Sequence, residues 1–166
     1  MNYSKIKPCD VANGEGIRVS LFVSGCSHHC KGCFNHELWD YGAGQYFDSD
    51  ELLHLIDLGS QSFISGLSLL GGEPLDPKNV RTVTEIAQMF KRYHPNKTIW
   101  CYTGYRWEEV KDLPIMKFLD VVVDGRFVKG LKDPRLKFRG SSNQRIIDVQ
   151  KSIATDKIFL RKDLME

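Results

Sequence analysis

The sequence predicts an α/β fold built around a parallel β-sheet, and three observations support this prediction. The chain has 166 residues, enough for one domain with a sizeable hydrophobic core. Short β-branched, apolar segments alternate with segments in which apolar residues recur at the helical period. Several of the apolar segments end at glycine-containing turns. Strands separated by helices favour right-handed β–α–β units, in which neighbouring strands run parallel.

Five strands are predicted, each rich in β-branched or apolar residues. They cover residues 18–24, 67–70, 98–102, 119–123 and 144–149. The first four are followed, in order, by a cysteine-rich loop, Gly71-Gly72-Glu73, Thr103-Gly104 and Asp124-Gly125. Because functional loops of such sheets gather at the carboxyl ends of the strands, we expect these four loops to form one site.

Three helices are predicted between these strands. The first begins at Asp48-Ser49, which can cap its first turn, and carries several leucines. The second begins at Asp76-Pro77, with proline at the first helical position. Its apolar residues between 80 and 90 recur at the 3.6-residue period, and it is expected to end near His94-Pro95. A short third helix is predicted over 107–113.

Composition and charge limit the classes of partner. Lysine and arginine number 23 against 21 acidic residues, so the net charge is only +2, and neither a nucleic-acid nor a membrane-surface partner is expected. The amino terminus lacks the apolar segment of a signal peptide, and no apolar run approaches the roughly 20 residues that span a bilayer. A cytoplasmic location is therefore expected. Residues 1–150 are predicted to form a single domain, and 151–166 a charged tail that could be a terminal helix or a loose end.

Three of the five cysteines lie within eight residues. Cys26, Cys30 and Cys33 can each bind one iron of a cubane cluster, which leaves the fourth iron without a protein ligand. In a reducing compartment, metal or redox chemistry is a better interpretation of this spacing than a disulfide. Cys9 and Cys101 stand alone and are expected to be small buried residues.

Two other interpretations of the cysteine loop remain open at this point. A structural zinc site is conceivable, with one of His28, His29 or His36 as a fourth ligand. A catalytic thiol paired with a histidine fits less well, because it needs only one activated cysteine. For all three histidines, a solvated loop position is the expectation.

The Cys26-x3-Cys30-x2-Cys33 loop after a strand resembles the signature of the radical S-adenosylmethionine superfamily. The turn Gly71-Gly72-Glu73-Pro74 stands where that superfamily places the turn that binds the methionine amino group. Segments 13–18 (Asn-Gly-Glu-Gly-Ile-Arg) and 22–26 (Phe-Val-Ser-Gly-Cys) are similar to the glycyl-radical-enzyme activases.

Three later segments resemble the smaller branch of these activases, the anaerobic ribonucleoside-triphosphate reductase-activating proteins. They are residues 100–105, 124–127 and 139–145. The similarity covers about residues 1–149 of the chain. It implies a partial (β/α) barrel of the radical S-adenosylmethionine type, because a full eight-stranded barrel typically needs about 250 residues. An open side of such a sheet would admit a loop of a protein substrate.

The resemblance implies a [4Fe–4S] cluster on Cys26, Cys30 and Cys33 that reductively cleaves S-adenosylmethionine. The 5′-deoxyadenosyl radical so formed would take a hydrogen atom from a backbone glycine of the large reductase subunit. The cluster would be reduced by an electron donor such as flavodoxin or ferredoxin. No catalytic residue beyond the cluster and S-adenosylmethionine is implied. Two alternatives remain. One is an activase of another glycyl-radical enzyme, such as pyruvate formate-lyase, and the other is a non-catalytic zinc-stabilised interaction module.

The resemblance also implies a binding site for S-adenosylmethionine. Gly71, Gly72 and Glu73 would hold its methionine end, and Gly32, Cys33 and Phe34 would line its adenosine end. Many superfamily members carry an aromatic residue immediately before the third cysteine, where this chain has Gly32. The aromatic residue that packs on adenine is therefore one of Phe34, Trp100 and Tyr102. Phe34 and Trp100 could also be ordinary core residues, and Glu73 could be only a helix-capping acid.

Overall fold

The computed structural model describes the whole chain, from Met1 to Glu166. Seven strands, β1 to β7, are Asn2–Asp10, Ile17–Val23, Gln45–Tyr46, Ile64–Gly71, Thr98–Tyr102, Val121–Asp124 and Arg145–Asp148. Five α-helices, α1 to α5, are Ser49–Gly59, Val80–Tyr93, Trp107–Val110, Val149–Thr155 and Lys162–Met165. Short 3₁₀ turns cover 36–38, 114–117 and 129–131.

All seven strands form one mixed sheet in the order β3-β1-β2-β4-β5-β6-β7. The four central strands, β2, β4, β5 and β6, pair in parallel, as the sequence predicts. The outer pairings of β1 and β7 are antiparallel. The sheet is not closed, because β3 and β7 are its edges. The structure therefore supports an open, mixed α/β sheet.

Two features of the sheet differ from the sequence-based prediction. The fifth predicted strand, β7, does not run parallel to its neighbour, since no crossover helix but only loops and a 3₁₀ turn join it to β6. Strands β1 and β3 were not predicted. Most β1 side chains are exposed or half-buried, and lysines interrupt its apolar residues, so it lacks the continuous apolar run of a buried strand.

The helix boundaries follow from local hydrogen bonds. The Asp48 carboxylate accepts from the backbone N–H of Glu51, which confirms the predicted cap of α1. Helix α2 begins at Val80 and not at Asp76-Pro77, because Asp76 instead closes a turn by accepting from the backbone N–H of Lys78. It ends at Tyr93, as predicted. Helix α3 ends at Val110, three residues before the predicted end.

The two faces of the sheet carry different packing. One face forms the main core with α1, α2 and α3, through residues such as Val19, Leu69 and Ile99. The other face carries a smaller apolar cluster around Trp100, which includes Leu164 of α5. Helices α4 and α5 thus occupy most of the segment predicted as a tail. None of the helices is both long enough and apolar enough to cross a membrane.

Arg18 is the main buried polar residue on the face of the sheet that carries Trp100. Its fully buried guanidinium donates to Ser68 Oγ, Thr98 Oγ1 and three backbone carbonyls. Desolvation by burial lowers the pKa of Arg18 to about 10. These contacts join β2, β4 and β5 near their amino ends, so they fix the parallel register on which the loops at the carboxyl ends depend.

Candidate active site

A cavity of about 360 Å³ lies at the carboxyl ends of the parallel strands. Its volume falls in the range of about 300–1,000 Å³ that ligand sites occupy. The structure brings the four expected loops together around it: the cysteine loop, the Gly71–Glu73 turn, Thr103-Gly104 and Gly125. Asp124 points elsewhere. Its buried carboxylate accepts from the Trp107 backbone N–H and from Arg145, and so ties α3 to β7.

The thiols of Cys26, Cys30 and Cys33 all line this cavity and none forms a disulfide. Gly25 anchors the start of the cysteine loop, since its backbone N–H donates to the Leu38 carbonyl at 2.8 Å. Both Gly25 and Gly32 have positive φ angles, of 99° and 78°, which other residues rarely adopt. The glycines therefore turn the backbone closely around the three thiols.

Backbone amides surround two of the thiols. Burial raises the pKa of the Cys26 thiol, and the backbone N–H groups of His28 and His29 oppose this rise. Burial likewise raises the pKa of Cys30, and the backbone N–H of Phe127 opposes it. N–H donors directed at sulfur favour the thiolate, which is the form that binds iron.

The other two cysteines do not reach the cavity. Cys101 is completely buried in the main core, as expected, and this burial raises its pKa well above the usual value. Cys9 is exposed on β1, so the expectation that it is buried is wrong. Three thiols, and no fourth, are thus available to a cluster in this cavity.

The three histidines near the thiols have different environments. His29 is exposed and stacks on Trp39, with ring centroids 4.4 Å apart, and the His36 side chain is 72% exposed. His28 is not solvated, contrary to expectation: its side chain is only 4% exposed, and its Nε2 lies 2.8 Å from Glu73 Oε2. His28 lines the cavity, but this ring nitrogen already has a partner.

Glu73 is the centre of a buried hydrogen-bond network. Its carboxylate is 1% exposed and accepts four hydrogen bonds. Thr103 Oγ1 and the Leu75 backbone N–H donate to Oε1, at 2.8 and 2.9 Å. His28 Nε2 and the Gly104 backbone N–H donate to Oε2, at 2.8 and 2.7 Å. Glu73 therefore connects its own turn, the cysteine loop and the loop after β5, and it does not cap α2.

The glycines before Glu73 allow a close approach of backbones. Gly71 has a φ of 111°, and the backbone N–H of Gly72 donates to the Val23 carbonyl at 2.7 Å. A Cβ atom at Gly72 would lie 2.5 Å from the Gly25 carbonyl oxygen. The turn and the start of the cysteine loop are thus in backbone contact, and only glycine fits between them.

Aromatic side chains line the remaining walls of the cavity. They are Phe34, Tyr102, Phe127 and Phe138. Trp100, the third candidate for packing on adenine, is fully buried against Phe138 and does not line the cavity. Phe34 lines it but is 59% exposed, so it is not a core residue.

Two buried polar atoms of cavity-lining residues lack a hydrogen-bond partner, Tyr102 Oη and Arg139 Nε. Buried polar groups are normally paired, so these two atoms suit a polar ligand. The residue types around the cavity also suit an iron–sulfur cluster. No three His, Cys, Asp or Glu side chains are arranged to share one metal ion. A cubane cluster does not need such an arrangement, because each of its thiolates binds a different iron.

Comparison with known proteins gives the family. A family model described as a 4Fe-4S single cluster domain matches residues 12–147. The chain is 44% identical to the anaerobic ribonucleoside-triphosphate reductase-activating protein of Enterobacteria phage T4, over 88% of this chain and 93% of the relative. The proteins of the same name from Haemophilus influenzae and Escherichia coli K12 are 44% and 42% identical, over 88% and 87% of this chain and 97% and 96% of theirs. The chain belongs to this family of activating proteins.

Family membership confirms the resemblance noted in the sequence, and the 4Fe-4S match favours a cluster over zinc. Sequence reasoning missed the contacts of His28, Thr103 and Gly104 with Glu73. It also missed Phe138 and Arg139 as cavity residues. His28, Thr103 and Gly104 lie 30 to 45 residues from Glu73 along the chain, so no local sequence pattern predicts these contacts. Arg139 begins segment 139–145, which resembles the family, and this resemblance could have indicated that Arg139 belongs to the site.

Proposed function

We propose that this chain is a radical S-adenosylmethionine enzyme that generates the glycyl radical of an anaerobic ribonucleoside-triphosphate reductase. The observation that carries the proposal is that three free thiols and the Gly71–Glu73 turn line one cavity, in which no fourth thiol is present. The names of the relatives support the reductase as the protein substrate, in preference to pyruvate formate-lyase.

Cys26, Cys30 and Cys33 are the proposed ligands of the cluster. When bound and reduced, a [4Fe–4S] cluster supplies the electron that cleaves S-adenosylmethionine to methionine and a 5′-deoxyadenosyl radical. The protein holds the three thiolates around the cavity by the turns at Gly25 and Gly32. Because Cys9 and Cys101 lie outside the cavity, one iron of a bound cluster would have no protein ligand and could bind the substrate.

The methionine end of S-adenosylmethionine is proposed to bind at the Gly71–Glu73 turn. The four hydrogen bonds that Glu73 accepts leave its carboxylate little capacity for another donor. Its proposed role is therefore to fix the turn, so that the backbone of Gly71-Gly72 contacts the ligand. Glycine at both positions lets the turn pack directly on the backbones of β2 and the cysteine loop, and both residues line the cavity.

The adenosine end is proposed to lie against Gly32, Cys33 and Phe34. Tyr102 is the other aromatic candidate, because it lines the cavity and has a free hydroxyl. The unpartnered Arg139 Nε lies in the same lining and suits an anionic or oxygen-rich part of the ligand. These aromatic walls place apolar surface beside the position where a reactive radical would form, which would limit the access of water once a ligand and the protein substrate are bound.

The 5′-deoxyadenosyl radical is proposed to abstract a hydrogen atom from a backbone glycine of the reductase, which leaves a glycyl radical and 5′-deoxyadenosine. The sheet is open, and the cavity lies at the carboxyl ends of its parallel strands. This arrangement suits a loop of a large protein substrate. A flavodoxin or ferredoxin is the proposed electron donor, and the cytoplasm the proposed location.

Anaerobic reconstitution with the reductase tests this function. The protein is loaded with iron and sulfide, reduced with dithionite, and mixed with S-adenosylmethionine and the reductase. Electron paramagnetic resonance should show a glycyl radical on the reductase, with about one 5′-deoxyadenosine formed for each radical. Cleavage without a glycyl radical would overturn the choice of protein substrate. Stoichiometric zinc in place of iron would overturn the enzymatic function.

A further inference from the structure

The segment between β6 and β7 carries a concentration of positive charge. Residues 126–139 contain six lysines and arginines and one acid, Asp133. The whole chain has a net charge of only +2, so the remainder of the chain is net acidic. The net positive charge of this protein therefore comes from this segment.

Most of these cations have no acidic partner in the protein. Asp133 is paired with Arg135, at 2.9 Å. No ion pair involves the exposed side chains of Arg126, Lys129, Lys132 and Lys137. Two apolar side chains stand among them, Val128 and Leu131, which are 40% and 45% exposed. We refer to these six residues as the basic rim.

The basic rim lies at the mouth of the cavity, against the cysteine loop. Lys132 Nζ stands 4.9 Å from the centre of the Phe34 ring, and Phe34 packs on Phe127 at 5.1 Å. The aliphatic part of Lys129 lies beside Gly32, since a Cβ added to that glycine would come within 3.2 Å of it. A chain that enters the cavity beside Phe34 must therefore pass these lysines.

We propose that the basic rim binds an acidic segment of the reductase that contains apolar side chains and lies near its radical-bearing glycine. The inference rests on the proposed function and adds the recognition of the protein substrate. Unpaired cations attract carboxylates over several ångströms and speed association, while exposed Val128 and Leu131 supply apolar contact. A polypeptide fits this mixture better than a nucleic acid, because the rest of the chain is net acidic and would repel a polyanion.

Charge reversal tests the proposal. The variant Lys129→Glu/Lys132→Glu is compared with Arg81→Glu/Arg92→Glu, a matched reversal of two exposed residues on α2. All proteins carry the reconstituted cluster and are reduced with dithionite, so no protein electron donor takes part. Three quantities are measured: affinity for the reductase, glycyl radical formed at subsaturating reductase, and cleavage of S-adenosylmethionine without reductase.

The rim variant should bind the reductase at least about tenfold more weakly at low salt and form correspondingly less glycyl radical. The deficit should shrink as salt is raised, since screening weakens the contacts of the parent protein. Iron content and cleavage without reductase should equal those of the parent, and the α2 variant should match the parent throughout.

Three results would overturn the proposal in different ways. If the rim variant binds the reductase and forms the radical like the parent, the basic rim is a solvated surface and the inference is wrong, although the proposed function stands. If the parent protein itself forms no glycyl radical on the reductase, the proposed function fails and the inference fails with it. Equal losses in the rim and α2 variants would also contradict the inference, because the effect would then be one of net charge.

Discussion

The cysteine loop and the Gly71–Glu73 turn face each other across one cavity, yet they are held in different ways. Within the loop, the only backbone hydrogen bond between its own residues runs from Cys33 N–H to the Cys30 carbonyl, and most side chains there are exposed or half-buried. In the turn, Glu73 alone accepts four hydrogen bonds, and both Gly72 and Glu73 donate to the backbone of the preceding strand and loop.

This difference indicates that the two regions are stabilised by different interactions. The turn is organised by the protein alone, before any ligand binds. The loop has few interactions of its own, so bonds to iron would contribute much of its order, as metal binding often does for small metal-binding segments. His28 is the exception, since it joins the loop to Glu73. Substitutions in the cysteine loop should therefore mainly affect the cluster, and substitutions in the turn should mainly affect the stability of the metal-free protein.

Replacement of any one thiol should have the largest effect. Cys26→Ala, Cys30→Ala and Cys33→Ala each remove the proposed protein ligand of one iron, so intact cluster and cleavage of S-adenosylmethionine should both fall to background. Iron analysis and chromatographic assay of 5′-deoxyadenosine measure this. The metal-free Cys30→Ala protein should nonetheless melt within about 2 °C of the parent. A large loss of stability without metal would show that the loop is organised by the protein.

Glu73→Ala should have its main effect on the stability of the metal-free protein. It leaves Thr103, His28 and two backbone N–H groups without their acceptor, and removing one partner of a buried charged network costs roughly 3–5 kcal/mol. At about 2–4 °C per kcal/mol, the metal-free protein should melt about 10 °C lower, as measured by circular dichroism. Glu85→Ala, at an exposed position of α2, is the control and should change little. An unchanged melting temperature for Glu73→Ala would refute the organising role of Glu73.

His28→Ala should have an intermediate effect on both properties. It removes one hydrogen bond to a buried carboxylate, worth about 1.5–3 kcal/mol, and detaches the loop from the turn. Iron should then leave the reconstituted protein faster when a chelator is added, which absorbance of the cluster follows. His36→Ala, with a 72% exposed side chain, should release iron like the parent. Equal release from the two variants would mean that the His28–Glu73 contact does not hold the loop.

The smallest effects are expected at the cysteines outside the cavity. Cys9→Ala alters an exposed side chain and should change the free energy of unfolding by no more than about 0.5 kcal/mol. Cys101→Ser places a hydroxyl in the main core and should cost about 1–3 kcal/mol without loss of the cluster. Loss of iron from either folded variant would contradict the assignment of three ligands.

The sequence predicts the central part of this fold well, because buried parallel strands have continuous apolar runs. The segments around 18–24, 67–70, 98–102 and 119–123 became β2, β4, β5 and β6 with small shifts at their ends. Strand β1, outside the parallel centre of the sheet, escaped prediction because only a few of its side chains are buried. The antiparallel direction of β7 depends on how the loop after Gly125 folds back, which no periodicity encodes.

The candidate site was predictable to the extent that it is local in sequence. The three cysteines and the Gly71–Glu73 turn were found because each occupies one short segment after a strand. The role of Glu73 was not, because it depends on His28, Thr103 and Gly104, which only the tertiary structure brings together. Likewise, Asp76-Pro77 gave a sound turn signal but placed the start of α2 too early.

We expect S-adenosylmethionine to bind through the iron that Cys26, Cys30 and Cys33 would leave without a protein ligand. Electron–nuclear double resonance of the reduced protein with S-adenosylmethionine labelled with ¹⁵N in its amino group tests this claim directly. Binding through this iron should give a strong ¹⁵N coupling to the cluster in the parent protein, together with a changed electron paramagnetic resonance spectrum. An unaltered spectrum with no coupling, while equilibrium dialysis shows that S-adenosylmethionine is bound, would contradict it.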